Sequence, residues 1–127
     1  MFFTVKLPIQ CAAMTVIHFE NWGPFEKELD RLTRKFQTLP EDLERLKNVI
    51  ALDPTGPSQH RTVLLRNEEL RIVKGHLFCK TLRRDSLRII YAYHADRITI
   101  VWIEVYHKAD KANEDHARIA DYLRSLG

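Results

Sequence analysis

The run ITIVWI at residues 98–103 constrains this chain more than any other stretch. Successive side chains of a strand point to opposite faces, so a strand apolar at every position is apolar on both. Such a run suits the middle of a sheet. It then changes character at Glu104 and ends in Tyr106-His107-Lys108. A strand buried along most of its length and polar at its end carries those polar groups to one edge of the sheet, which makes that edge the first candidate site.

A second strand precedes it. Residues 87–93, LRIIYAY, are rich in the β-branched and aromatic types that suit a pleated surface. Leu87, Ile89, Tyr91 and Tyr93 fall on one face, with Arg88, Ile90, Ala92 and His94 on the other. The intervening His94-Ala95-Asp96-Arg97 reads as a turn.

At 127 residues the chain fits one domain, 1–127, with residues 1–13 as an N-terminal appendage and 112–127 as a C-terminal helix. The change in character at Met14 makes that residue an alternative start. The net charge of +3 is modest, but it is unevenly placed. Residues 61–111 hold eleven Lys or Arg against six Asp or Glu, whereas residues 20–53 hold six against eight. The clustered excess points to an anionic partner. Cys11 and Cys79 are too far apart to suggest a metal motif or a disulfide framework, and buried free thiols in a reducing cytoplasm are the expectation. No stretch approaches the ~20 apolar residues of a membrane span.

Upstream, residues 14–19 read as a strand, and Gly23-Pro24 opens a helix whose stripe is Phe25, Leu29, Leu32 and Phe36. Thr38-Leu39-Pro40-Glu41 resembles a capping box for a second helix through Leu43, Leu46, Val49 and Ile50, ended by Asp53-Pro54. Residues 53–60 are a loop. Residues 62–65 and 70–73 are weak strands, 77–82 a better one, and Arg83-Arg84-Asp85-Ser86 its turn into residues 87–93. After Lys108 a helix starts at Asp110 or Asn113, with Ile119, Tyr122, Leu123 and Leu126 on one face. The expected fold is α+β: an N-terminal strand, an antiparallel two-helix hairpin packed on a small antiparallel sheet of three to four strands, and a C-terminal helix.

No zinc spacing, phosphate-binding glycine loop or dinucleotide fingerprint occurs, so no metal or nucleotide cofactor has support in the sequence. What remains is a late constellation of Lys74, Lys80, Arg83, Arg84, Arg88, Tyr91, His94, Tyr106, His107 and Lys108. Guanidinium and ammonium groups suit phosphate oxygens, and tyrosines can stack on unpaired bases. Metal-free RNA cleavage needs a base for the 2′-hydroxyl, cations for the phosphorane and an acid for the leaving oxygen. His107 and Glu104 are the natural proton carriers, Tyr106 could replace one, and Lys80, Arg88 and Lys108 could hold the phosphate. Each has a structural alternative. Arg83 and Arg84 suit solvated charge, Tyr91 and Tyr93 a core with satisfied hydroxyls, His94 a surface turn, and Glu104 an ion pair with a partner such as Arg88.

The order of elements, the CKTLRRDS segment around Lys80, the LRIIY run and the ITIVWIEVYHKADK strand together resemble the RelE/ParE superfamily of bacterial toxin–antitoxin systems, the RelE-type messenger-RNA interferases in particular. The resemblance implies a RelE-like fold and a ribosome-dependent endoribonuclease that cuts mRNA without a cofactor. It also implies a cytoplasmic heteromeric complex with a cognate antitoxin. Arg88 matches the phosphate-contacting arginine, Lys80 a strand lysine, and Lys108 a further catalytic basic residue. The family's late Tyr or His would be His107, Tyr106 or His116. The implied catalytic set is thus Lys80, Arg88, His107 and Lys108, with Lys74, Arg83, Arg84, Tyr91 and Tyr106 binding substrate. A ParE-like gyrase inhibitor and a degenerate toxin that only binds its antitoxin or RNA are the alternatives.

Overall fold

A computed structural model describes residues 2–6, 14–54 and 58–127. In chain order the elements are strands β1 (Phe2–Lys6) and β2 (Met14–Asn21), and helices α1 (Phe25–Lys35) and α2 (Leu39–Leu52). Strands β3 (Arg61–Arg66), β4 (Leu70–Leu77), β5 (Leu87–His94) and β6 (Thr99–His107) follow, then helix α3 (His116–Ser125). The strands form one six-stranded sheet in the order β1-β2-β6-β5-β4-β3. The class is α+β, but the sheet corrects the expected one in two respects. It has six strands rather than three to four, and it is mixed, because β2 runs parallel to β6 while every other neighbour is antiparallel. Part of the extra strand count comes from the segment expected as an appendage, since Phe2–Lys6 pairs with β2. Residues 7–13, Cys11 among them, lie outside the described residues.

Flanked by β2 and β5, β6 is buried at all nine positions. Its two faces meet different covers, as the alternation in β5 requires. Leu87, Ile89 and Tyr91 join Ile100, Trp102 and Val105 in a core with Phe25 and Leu32 of α1 and Leu43 and Ile50 of α2. Trp102 is central to it, stacked on Phe19 at 5.7 Å and on Phe25 at 6.0 Å, with Tyr91 edge-on at 5.7 Å. On the other face, Ile90, Ala92, Val101 and Ile103 pack with Leu70 and Ile72 of β4 against Ile119 and Tyr122 of α3. The helical hairpin and the C-terminal helix therefore sandwich the sheet.

A β-bulge interrupts β6. Ile90 pairs with Glu104 and Tyr91 with Trp102, so Ile103 is the extra residue. Ile103 and Glu104 consequently share the α3 face, Val105 returns to the α1–α2 face, and the parity of everything after it is reversed.

Residues 77–82 do not form the expected strand. β4 ends at Leu77, and the backbone beyond it bonds elsewhere: the Lys80 N–H donates to Asp42 Oδ2 at 3.3 Å, and the Leu82 N–H to the Cys79 carbonyl at 3.0 Å. Asp42, buried at the start of α2, also accepts from the Thr38 hydroxyl at 2.8 Å and from Arg45. Thr38 is the N-cap of α2, but its hydroxyl points to Asp42 and makes no capping bond to a backbone amide, so the capping box does not form.

Candidate functional site

Three strands bring a polar row together at one end of the sheet. His76 of β4, Arg88 of β5 and Tyr106 of β6 are register partners in turn, on the face that α3 covers further along. Lys74 lies on the same face one step inward, opposite Ile90.

Arg88 is held from below. Its Nη1 donates to both the Ser86 carbonyl and the Ser86 hydroxyl at 2.7 Å, and Asp85 Oδ1 lies 3.8 Å away. Ser86 Oγ is also 3.0 Å from His76 Nδ1, so one buried hydroxyl ties the imidazole to the guanidinium. Burial lowers the pKa of His76, and the charges of Arg88 and His60 lower it further, which keeps the ring neutral at pH 7.

Tyr106 is buried, and its hydroxyl makes no hydrogen bond of acceptable geometry. Burial pushes its pKa up against the pull of the nearby Lys74 ammonium, so the phenol stays protonated. Lys111 stands over its ring at 5.1 Å. Two cations on this face are already matched. Lys74 Nζ is 2.9 Å from Glu114, and Lys111 pairs with Glu104. Burial acts to lower the Lys74 pKa, but its bonding to Glu114 and its contact with Tyr106 outweigh that and raise it.

His107 faces the other way. Its ring packs edge-on against Phe36 at 5.6 Å, Nε2 is 3.3 Å from Asp85 Oδ2, and Nδ1 is buried without a partner. Asp85, lowered in pKa first by the Ser86 N–H, thus stands between Arg88 and His107 at the sheet end.

The remaining expected residues divide sharply. Lys80, Arg83 and Arg84 are exposed on the loop between β4 and β5, and Lys108 is exposed just past β6. Lys80 is therefore a loop cation rather than a strand lysine. Arg84 adopts φ 65°, a conformation few arginines take, and lines the same groove as Arg88. Tyr91 is fully buried beside Trp102 and donates its hydroxyl to the Pro54 carbonyl at 2.9 Å, which removes it from any surface that a substrate can reach. His94 is not at the surface either, being buried and hydrogen-bonded to the Tyr122 hydroxyl. Glu104 does find an ion-pair partner, but that partner is Lys111, with the Asp115 N–H donating to its other oxygen at 2.8 Å. His116 is exposed at the start of α3, 3.8 Å from Glu114.

Sequence reasoning overlooked His76, Ser86 and Asp85, and did not foresee that Glu114 pairs with Lys74. The strand expected at 70–73 stopped short of His76, and extending its alternation by two further steps places His76 on the face of Ile72 and Lys74. Glu114 and Asp85 lie in segments without periodicity.

Among the described residues no cluster of His, Cys, Asp or Glu could hold a metal ion, and no helix is long and apolar enough to cross a membrane. The fold and the site together describe an α+β protein with a cationic, partly aromatic sheet end. No protein-family model matches the chain, and no curated protein or solved structure matches it significantly.

Proposed function

We propose that this chain is a RelE-type toxin: an endoribonuclease that cuts messenger RNA on the ribosome by attack of a 2′-hydroxyl on the adjacent phosphate. It would act in the cytoplasm and be held inactive by an antitoxin covering the cationic sheet end. The observation that carries this reading is the row His76–Arg88–Tyr106, a neutral base, a fixed guanidinium and a protonated phenol on adjacent strands. Arg88 offsets charge on the phosphorane. His76, whose Nδ1 is engaged by Ser86, keeps Nε2 for the proton of the 2′-hydroxyl. The Tyr106 hydroxyl is buried, so it supplies the proton to the leaving 5′ oxygen only if RNA binding uncovers it. Geometry thereby favours His76 and Tyr106 as proton carriers over His107, which lies on the opposite face. Exposed Lys80, Arg83, Arg84 and Lys108 add attraction for RNA that is sensitive to salt.

The test is cell-free translation with mapping of message ends. Wild-type protein is expected to arrest translation and cut the message, and Arg88→Ala to lower the cleavage rate by about 100-fold or more. A message carrying a 2′-deoxynucleotide at the mapped site should stay whole there. Equal, undiminished translation with wild type and Arg88→Ala would end the proposal.

A second reading, binding without cleavage, is favoured by the pairing of Lys74 with Glu114 and of Lys111 with Glu104, which neutralises two cations on that face. Arrested translation with intact message would select it.

A further inference from the structure

Phe78 stands out among the side chains around Arg88. It directly follows β4 and keeps 53% of its surface exposed, yet it is braced. His60 meets it edge-on at 4.9 Å and 85°, and His76 lies 5.9 Å away. The two imidazoles are themselves 5.5 Å apart. An exposed phenyl ring fixed by two neighbours is a prepared surface, because little rotamer freedom remains to be lost when something covers it. Through Ser86, the same His76 is tied to Arg88. The three rings, Ser86, Arg84 and Arg88 line a single groove of about 560 Å³, within the range of small-ligand sites.

We propose that this groove is a nucleotide subsite, in which one unpaired base of single-stranded RNA stacks on Phe78 beside His60 and His76 while its phosphate rests on Arg88 and Arg84. The inference rests on the RNA reading above and adds to it the place where a base is held. Stacking suits the rings because every base presents a π-face, and single-stranded RNA is recognised through unstacked bases laid on aromatic side chains. The guanidiniums suit the phosphate, and the separation between rings and cations within one groove matches a ligand that is apolar at one end and anionic at the other. Phe78 also borders a smaller cleft with Leu46, Val49 and Leu77, which suits an apolar side chain of a protein partner. The groove sets Arg84 and Arg88 against Asp85, whereas the cleft sets Arg45 against Asp42, and the groove's surplus cation favours the nucleotide.

Fluorescence anisotropy of the full-length chain with a labelled short single-stranded RNA, and with the same RNA carrying abasic sites, tests the assignment. Wild type is expected to bind the abasic RNA about tenfold more weakly than the intact one. Phe78→Ala should bind both equally, at the weaker level, while keeping the wild-type salt dependence. Phe78→Trp should retain affinity and show fluorescence quenching by RNA beyond that of Trp22 and Trp102. Arg88→Ala should weaken binding to both RNAs and lessen the salt dependence. If Arg88→Ala weakens binding but Phe78→Ala does not, and abasic RNA binds as well as intact RNA, the subsite is wrong while the RNA reading stands. If Phe78→Ala weakens both RNAs by the same factor, the ring has a structural or protein-docking role and the subsite is overturned. If Arg88→Ala changes nothing, the RNA reading itself fails.

Discussion

Arg118 of α3 forks onto Glu28 of α1 with its two terminal nitrogens at 2.7 and 2.8 Å, joining helices that cover opposite faces of the sheet. The reason lies in β6. β2 accompanies it only as far as Trp102, so beyond that point the Ile103 carbonyl and the Val105 N–H meet no strand. Arg118 donates to the first at 3.1 Å, and Glu28 accepts from the second at 3.3 Å. The ion pair thus finishes a sheet edge.

Removing either partner should therefore do more than break a surface pair, which contributes about 0–1 kcal/mol. Glu28→Ala and Arg118→Ala should each destabilise the fold by about 2–3 kcal/mol, since each orphans a charge and a backbone group at once. The double variant should lose clearly less than the sum. Urea midpoints measure all three, and strict additivity would show that the two side chains act independently.

Glu104 is fully buried, with Lys111 on one oxygen and the Asp115 N–H on the other. Asp115 is the N-cap of α3, so this carboxylate seats the helix start as well as neutralising a lysine. Glu104→Ala should cost about 3 kcal/mol and loosen α3 first. Amide exchange faster in residues 116–125 than in β5 is the expected signature; uniform acceleration would argue against a local role.

Tyr106 separates stability from function. Its buried hydroxyl has no hydrogen bond of acceptable geometry, so removing it relieves a desolvated polar group. Tyr106→Phe should be at least as stable as wild type by thermal melting. If message cleavage falls all the same, the hydroxyl serves the reaction; a less stable variant would mean that the hydroxyl has a partner after all.

The His94–Tyr122 contact predicts a pH dependence. Burial lowers the His94 pKa, Arg97 lowers it further, and Asp96 and Glu20 oppose them only in part. Burial also pushes Tyr122 up to about 12, so its phenol remains neutral throughout. A depressed histidine binds fewer protons folded than unfolded, so its contribution is complete above the unfolded value of about 6.5 and is lost as pH falls through the folded value. His76, lowered in the same direction, adds to the slope. The melting temperature should drop between pH 7 and pH 5, and His94→Asn should flatten that drop; an identical slope in the variant would exonerate His94.

Much of this was legible in the residues. Period-two alternation in 87–93 assigns its two faces correctly, because burial on both sides leaves each position only one choice. The doubly apolar run before Glu104 marks an interior strand for the same reason. What escaped are features decided by remote partners. Residues 77–82 have the composition of a strand, yet Asp42 takes their backbone into a loop. Tyr91 has the chemistry of a base platform but belongs to the Trp102 core. The covering of the second face by α3 depends on Ile119 and Tyr122 meeting Ile90 and Val101, a pairing that no local pattern encodes.

The bulge at Ile103 has a reach beyond its own backbone. With strict alternation from Trp102, residue 106 would point toward the helical hairpin and residue 107 toward Arg88. One supernumerary residue exchanges them, so the phenol and not the imidazole joins the guanidinium row. Flattening the bulge with Ile103 kept in the strand would amount to a chemical substitution at a distance, with His107 delivered where Tyr106 now stands. Deleting Ile103 would instead leave the phenol beside Arg88, because Glu104 would then follow Trp102 directly.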